Sequence, residues 1–67
     1  MGYEKYLENL HKQQERVKWV IRGIDFTELT EWEENFMINI SEQSAGGKWL
    51  SPRQEEIMER IYREKGQ

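Results

Sequence analysis

The chain has 67 residues, with 13 Asp and Glu against 10 Lys and Arg, one His and no Cys. This length allows one domain with a small core, because a 60-residue domain buries only about 60% of its unfolded surface. The missing cysteines exclude a disulfide framework and a thiolate zinc site. No uncharged stretch can span a membrane, and the N-terminus lacks the apolar segment of a signal peptide. The composition therefore predicts a small binding protein, with no enzymatic activity, metal or cofactor.

The first predicted helix covers about residues 3–22. Its apolar stripe, with spacing 4-3-4-3-4-3, consists of Tyr3, Leu7, Leu10, Gln14, Val17, Ile21 and Ile24. At about 100° per residue this spacing keeps the stripe on one side of a helix, and Gly23 provides a stop. Two interpretations stay open. The stripe packs on the rest of the chain, or it forms the coiled-coil seam of a homodimer in which Gln14 sets the register.

The second predicted helix covers about residues 31–44 and follows a capping box. Thr30 is placed to cap the N-terminus, and Glu33 is placed to reach back to it. Three glutamates fall in the first turn, where the helix dipole favours negative charge. Trp32, Phe36 and Ile40 follow at intervals of four, which predicts that these three residues form the buried face.

The third predicted helix covers about residues 52–65. Ser51 occupies the N-cap position, Pro52 the first helical position and Gln54 the capping-box position. Its apolar stripe consists of Ile57, Met58, Ile61 and Tyr62. The preceding loop, residues 44–50, is too long for the tight turn of a helix-turn-helix DNA reader.

These elements predict an all-α domain of three helices, in which one long N-terminal helix packs on a helical hairpin. The expected core consists of Leu7, Leu10, Val17, Ile21, Trp32, Phe36, Ile40, Ile57 and Ile61. Leu50 is expected to anchor the hairpin loop. No segment alternates polar and apolar residues for long enough to predict a strand.

Charge is unevenly distributed along the chain. Residues 1–24 carry five basic and three acidic residues, residues 25–45 carry six acidic and no basic residues, and residues 46–67 carry five basic and four acidic residues. Internal charge complementarity accounts for this pattern. An acidic face that engages a basic protein surface, or mimics nucleic-acid phosphates, accounts for it as well. The candidate residues for that face are Glu28, Glu31, Glu34 and Glu42.

A second stripe on the first helix lies opposite its apolar side and contains Lys5, Lys12, Arg16 and Trp19. Such a stripe suits single-stranded nucleic acid, because cations attract phosphates and an aromatic ring stacks on a base, worth about 1–3 kcal/mol per base. Lys48 and Arg53 complete this candidate nucleic-acid face. The alternative is a solvated face with Trp19 covered by the following loop, and the acidic residues Glu8 and Glu15 favour it.

The second half of the chain carries two linked motifs. Leu29-Thr30-x-Trp32-Glu33-x-x-Phe36 is followed by Leu50-Ser51-Pro52-Arg53-Gln54-x-x-Ile57-x-x-x-Ile61. Over residues 29–65 this arrangement resembles a short helical module of bacteriophage and bacterial DNA replication and recombination proteins. The resemblance implies a role in DNA metabolism and a location in the cytoplasm of a bacterial host. It implies no catalytic residue.

Three functional hypotheses follow. The first is a non-catalytic accessory module of phage-type DNA metabolism, which binds a protein partner or single-stranded DNA. The second is an acidic inhibitor, or nucleic-acid mimic, directed at a nucleic-acid enzyme. The third is a homodimerisation module built on the first helix, since a core this small often gains stability from association.

Overall fold

The computed structural model describes residues 2–66 and contains three α-helices. Helix α1 spans Gly2–Gly23, α2 spans Glu31–Ala45 and α3 spans Pro52–Lys65, with a short 3-10 helix, Phe26–Glu28, between the first two. The described residues measure 42 × 19 × 17 Å along their principal axes. The prediction of an all-α, three-helix fold is confirmed, and each helix begins and ends within one residue of the expected position.

The three helices alternate in direction. Gln14, in the middle of α1, donates a hydrogen bond of 2.8 Å to the carbonyl oxygen of Ser44 near the end of α2, so these two helices are antiparallel. The amide of Leu50, just before α3, donates a hydrogen bond of 2.9 Å to the side chain of Gln13. Helix α3 therefore starts beside the middle of α1 and runs parallel to it.

The end of α3 closes on the connection between α1 and α2. The amide of Asp25 donates to the carbonyl oxygen of Lys65 at 3.5 Å, next to an antiparallel bridge between Ile24 and Gly66. The ammonium group of Lys65 donates a 3.1 Å hydrogen bond to the carbonyl oxygen of Glu28. These contacts give partners to the amide of Asp25 and the carbonyl oxygen of Glu28, two backbone groups at the ends of the short 3-10 helix.

Local hydrogen bonds fix the starts of α2 and α3. The hydroxyl of Thr30 accepts from the amide of Glu33 at 3.2 Å, and the carboxylate of Glu33 accepts from the amide of Thr30 at 2.9 Å. Ser51 and Gln54 repeat this exchange at 3.1 and 2.8 Å. Both predicted capping boxes are confirmed. Each one pairs two backbone amides that a helix start otherwise leaves without partners.

Helix α2 ends in a Schellman motif. The amide of Gly47 donates to the carbonyl oxygen of Ser44, and the amide of Lys48 donates to that of Gln43, at 3.0 and 3.1 Å. Gly47 has a φ of 83°, which L side chains rarely adopt, so this position favours glycine.

The core lies where the three helices meet. Its buried members are Val17, Val20, Ile24, Met37, Ile40, Leu50, Met58 and Ile61. Of the predicted core, Leu10, Val17, Ile40 and Ile61 are buried, as is the loop anchor Leu50. Leu7, Ile21, Phe36 and Ile57 are half-buried at its edge. Burying each aliphatic side chain fully stabilises the fold by about 1.5–3 kcal/mol relative to exposure.

The prediction that Trp32 belongs to the core is wrong, because 59% of this residue is exposed. Residues at intervals of four drift by about 40° per step around a helix, so a row starting at Trp32 faces the core at its far end, Ile40. The buried residues of α2 are Met37, Ile40 and Ser44. The side of α2 that faces the core is therefore rotated around the helix axis relative to the predicted row of Trp32, Phe36 and Ile40.

Candidate functional site

The six acidic residues of segment 25–45 divide into two groups. The carboxylate of Asp25 accepts hydrogen bonds from the hydroxyl and the amide of Thr27, which hold its pKa below the ordinary value, and Glu33 caps its own helix. The four others, Glu28, Glu31, Glu34 and Glu42, are exposed. Within residues 2–66 none of their carboxylates forms an ion pair. These four, the predicted acidic residues, are called the acidic surface below.

Two apolar side chains accompany the acidic surface on α2. Ile38 is 42% exposed and lies on the same side of the helix as Glu34 and Glu42, four residues from each. Trp32, beside Glu31, stacks on Phe36 with ring centroids 5.4 Å apart and an interplanar angle of 13°. The stack holds one face of the Trp32 ring and leaves the residue 59% exposed. The sequence could have indicated this exposure, because Ile38 lies outside the predicted apolar row of the helix and four residues from a glutamate on either side.

The basic stripe of α1 contains an outward-facing aromatic ring, Trp19. Trp19 is 60% exposed, so the following loop does not cover it. Lys5 and Lys12 are also exposed, but the ammonium group of Lys12 lies 3.6 Å from the carboxylate of Glu8. The nearby Lys18 lies 3.7 Å from Glu15 on the same helix. Carboxylates therefore offset part of the positive charge around Trp19.

Arg16 joins α1 to α3. Its guanidinium donates hydrogen bonds of 2.8 and 2.7 Å to the two carboxylate oxygens of Glu59 and lies 5.3 Å from the ring centroid of Tyr62. These hydrogen bonds hold the pKa of Glu59 below its ordinary value, against the opposing effect of partial burial, and raise the pKa of Arg16. In this arrangement Arg16 supports helix packing, and its charge is already compensated.

Lys48 and Arg53 lie in the second half of the chain, in the hairpin loop and the first turn of α3 respectively. Both are exposed. Across residues 2–66, no side-chain hydrogen bond, ion pair or cation–π contact joins either of them to the α1 stripe. The structure thus provides no contact that unites the six predicted nucleic-acid residues into one site.

A groove of about 380 Å³ opens between α1 and α2. Helix α1 contributes Val17, Lys18, Ile21 and Arg22 to it, and α2 contributes Ser41 and Ala45. This groove could not be predicted from the sequence, since it depends on small residues of α2 lying opposite α1. In the described part of the chain, residues 2–66, no group of three or more His, Asp or Glu side chains is arranged to hold a metal ion. No helix within that range is long and apolar enough to cross a membrane.

No protein-family model, curated protein or solved structure matches this chain. The residues of the two motifs within segments 29–36 and 50–61 have local structural roles: four form the two capping boxes, and Leu50 is in the core. Trp32 and Arg53 are exposed to solvent and belong neither to a capping box nor to the buried core. Two exposed surfaces available to a partner are therefore the acidic surface with its two apolar side chains and the Trp19 side of α1.

Proposed function

We propose that this protein is a small non-catalytic binding module that engages a basic protein surface through the acidic surface, Ile38 and Trp32. Charge compensation is the observation that supports this function. Three basic residues of α1, namely Lys12, Arg16 and Lys18, are paired with carboxylates, whereas the four carboxylates of the acidic surface have no such partner in residues 2–66.

The layout of α2 suits a basic partner. From Glu31 to Glu42 the carboxylates extend over about 16 Å of helix, at 1.5 Å per residue. Charges of one sign on an exposed face steer an oppositely charged partner and raise the association rate. Ile38 and Trp32 supply apolar contact area, and exposed aromatic residues of this kind often dominate binding energy. Charge provides the attraction and the two apolar side chains provide the anchor.

The partner belongs to DNA metabolism in this proposal. Proteins that bind nucleic acid present basic surfaces to phosphates, so a row of carboxylates competes for the same surface. The resemblance of residues 29–65 to a module of phage DNA replication and recombination covers the α2–α3 hairpin, which carries the acidic surface. This overlap supports a phage-type accessory or inhibitory role.

Affinity capture from a bacterial lysate, with three baits, tests the proposal. The first bait is the unmodified protein, and the second carries Glu31→Gln, Glu34→Gln and Glu42→Gln. The third is a matched control with Glu55→Gln, Glu56→Gln and Glu64→Gln, which changes the net charge equally on α3. We expect the first and third baits to retain a basic nucleic-acid-binding protein that the second bait loses.

Competition with DNA completes this experiment. Duplex or single-stranded DNA added to the loaded bait is expected to release the captured protein, because both ligands occupy its basic surface. Equal capture by the second and third baits would contradict the proposal, because net charge rather than the acidic surface would then control binding. Capture that DNA does not displace would contradict competition for a nucleic-acid-binding surface.

A second candidate function is binding of single-stranded DNA at Trp19, which its 60% exposure favours. Titration with oligothymidylate, followed by tryptophan fluorescence, tests it. Saturable quenching that weakens with salt and disappears in Trp19→Phe would support this candidate. Unchanged fluorescence at low salt would remove it.

A further inference from the structure

Helix α1 extends beyond the hairpin that packs on it. Gln14 contacts Ser44 one residue before the end of α2, so residues 2–12 of α1 form an overhang of about 16 Å at 1.5 Å per residue. On this overhang Tyr3 is 72% exposed and Leu7 is half-buried. Trp49 of the hairpin loop meets the neighbouring Tyr6 edge to face, with ring centroids 5.5 Å apart. The first turns of the apolar stripe are thus left partly uncovered.

The overhang and the groove between α1 and α2 lie on the same side of α1. Leu7 of the overhang and Ile21 of the groove are 14 residues apart, which is close to four full turns. Val17, Ile21 and Ala45 give the groove an apolar part, and the polar side chains of both helices surround it. An apolar projection and a recess with an apolar part therefore lie along one side of the same helix.

We infer that a second copy of this chain inserts its overhang into the groove, in a two-fold dimer with antiparallel α1 helices. In a two-fold dimer both copies use the same surface, and each contact occurs twice. That surface must therefore contain both the projecting residues and the recess that receives them. Tyr3 and Leu7 of each copy enter the groove of the other, and the axis passes near Lys12. This dimer is not a coiled coil formed by the whole apolar stripe of α1. Gln14, the residue that would set the register of such a coiled coil, instead donates a hydrogen bond to Ser44 of its own chain.

Charge complementarity supports an antiparallel second copy as the occupant. The acidic residue in the first turn of α1 is Glu4, and the basic residue in its last turn is Arg22. Glu4 and Lys18 are 14 residues apart and so share the flank next to the groove, with Arg22 one turn further. Antiparallel pairing places Glu4 of each copy opposite Lys18 and Arg22 of the other. The inference does not depend on the proposed function, because it uses other side chains.

Sedimentation equilibrium over a range of protein concentrations tests this dimer. The expected mass at high concentration is twice the 8.2 kDa of the chain. Glu4→Lys and Arg22→Glu are each expected to raise the dissociation constant about tenfold, because each variant replaces two symmetry-related attractions by repulsions. Tyr3→Ser is expected to weaken the dimer while leaving the fold intact, since Tyr3 is largely exposed. Circular dichroism checks that each variant stays helical.

Mixing the two charge variants provides the sharpest test. In the mixed dimer the introduced lysine of one chain faces the introduced glutamate of the other, and the native Glu4 faces the native Arg22. An equimolar mixture of Glu4→Lys and Arg22→Glu is therefore expected to dimerise about tenfold more tightly than either variant alone. Glu64→Lys and Arg63→Glu on α3 are the matched controls, and their mixture is expected to behave like its components.

Three results would overturn the inference. One is a monomeric mass at every concentration. Another is a dimer that Tyr3→Ser leaves unchanged. The third is a mixture of the two charge variants that associates no better than each variant alone. The first two results would show that the overhang does not form a dimer interface. The third would show that the two α1 helices do not pair in an antiparallel arrangement.

Discussion

The contact of Arg16 with Glu59 predicts a measurable energetic coupling between α1 and α3. The guanidinium and the carboxylate form two hydrogen bonds of 2.8 and 2.7 Å. The two side chains are 45% and 35% exposed, so solvent screens their attraction. Because the guanidinium binds both carboxylate oxygens, we expect a coupling energy of about 1 kcal/mol, near the upper end of the range for exposed ion pairs. In a domain of this size that corresponds to a change of about 4–8 °C in Tm.

A double-mutant cycle measures this coupling. Arg16→Ala, Glu59→Ala and the double variant are each unfolded in urea at neutral pH. The two single losses in the free energy of unfolding are expected to sum to about 1 kcal/mol more than the loss in the double variant. Arg16→Lys keeps the charge but forfeits the two-point geometry, so most of the coupling is expected to disappear in that variant as well.

The pH dependence of the coupling follows from the lowered pKa of Glu59. Because Arg16 stabilises the carboxylate, the pair contributes its full stability above the ordinary glutamate pKa of 4.5. This contribution is lost as the pH falls through the lower pKa of the folded protein. Absence of coupling at neutral pH, or coupling that survives protonation of Glu59, would refute the reasoning.

Three further predictions concern the fold. Met37→Ala is expected to lower the free energy of unfolding in urea by about 2–5 kcal/mol, because Met37 is fully buried; a negligible loss would contradict that burial. Thr30→Ala is expected to cost about 1 kcal/mol in the same assay through loss of the cap, and an unchanged midpoint would count against the capping box. Gly23→Ala is expected to lower Tm, since a Cβ there would lie 2.9 Å from the Tyr62 ring. Adding Tyr62→Leu should then recover part of the loss, and no recovery would exclude this clash.

The helix boundaries could be predicted because their causes are local. A capping box needs two residues three positions apart, such as Thr30 with Glu33, and its hydrogen bonds form within one turn. Gly23 is the last residue of α1, but it does not form the left-handed stop that the sequence suggests. Its φ is not positive, and the close approach of Tyr62 is what leaves no space for a side chain.

The core was predicted less well because burial depends on the direction from which other helices approach. Selecting the largest apolar residues placed Trp32 inside and left out Met37 and Met58, which are 0% and 1% exposed. On α2 and α3 apolar residues occupy more than one side, so a single chain pattern does not determine which side is covered. Tertiary packing, absent from the local pattern, makes that choice.

The candidate sites show the same division. The four residues of the acidic surface could be identified from sequence, because their segment contains no basic residue. The role of Arg16 could not, since Glu59 is 43 positions away along the chain. The groove between α1 and α2 also requires the relative placement of two helices. Charge composition is readable from the sequence, whereas charge pairing between distant residues requires the fold.

The closure of α3 on the α1–α2 connection links folding to the order of synthesis. Glu28 and Lys65 are 37 positions apart, so the connection is synthesised well before the residues that cover it. Until residues 65 and 66 follow, the amide of Asp25 has only water as a partner, and the last turn of α1 lacks part of its packing. A chain that ends before residue 65 is therefore expected to be open to proteolysis at residues 24–28, and the last residues of α3 protect a connection that lies far from them in the sequence.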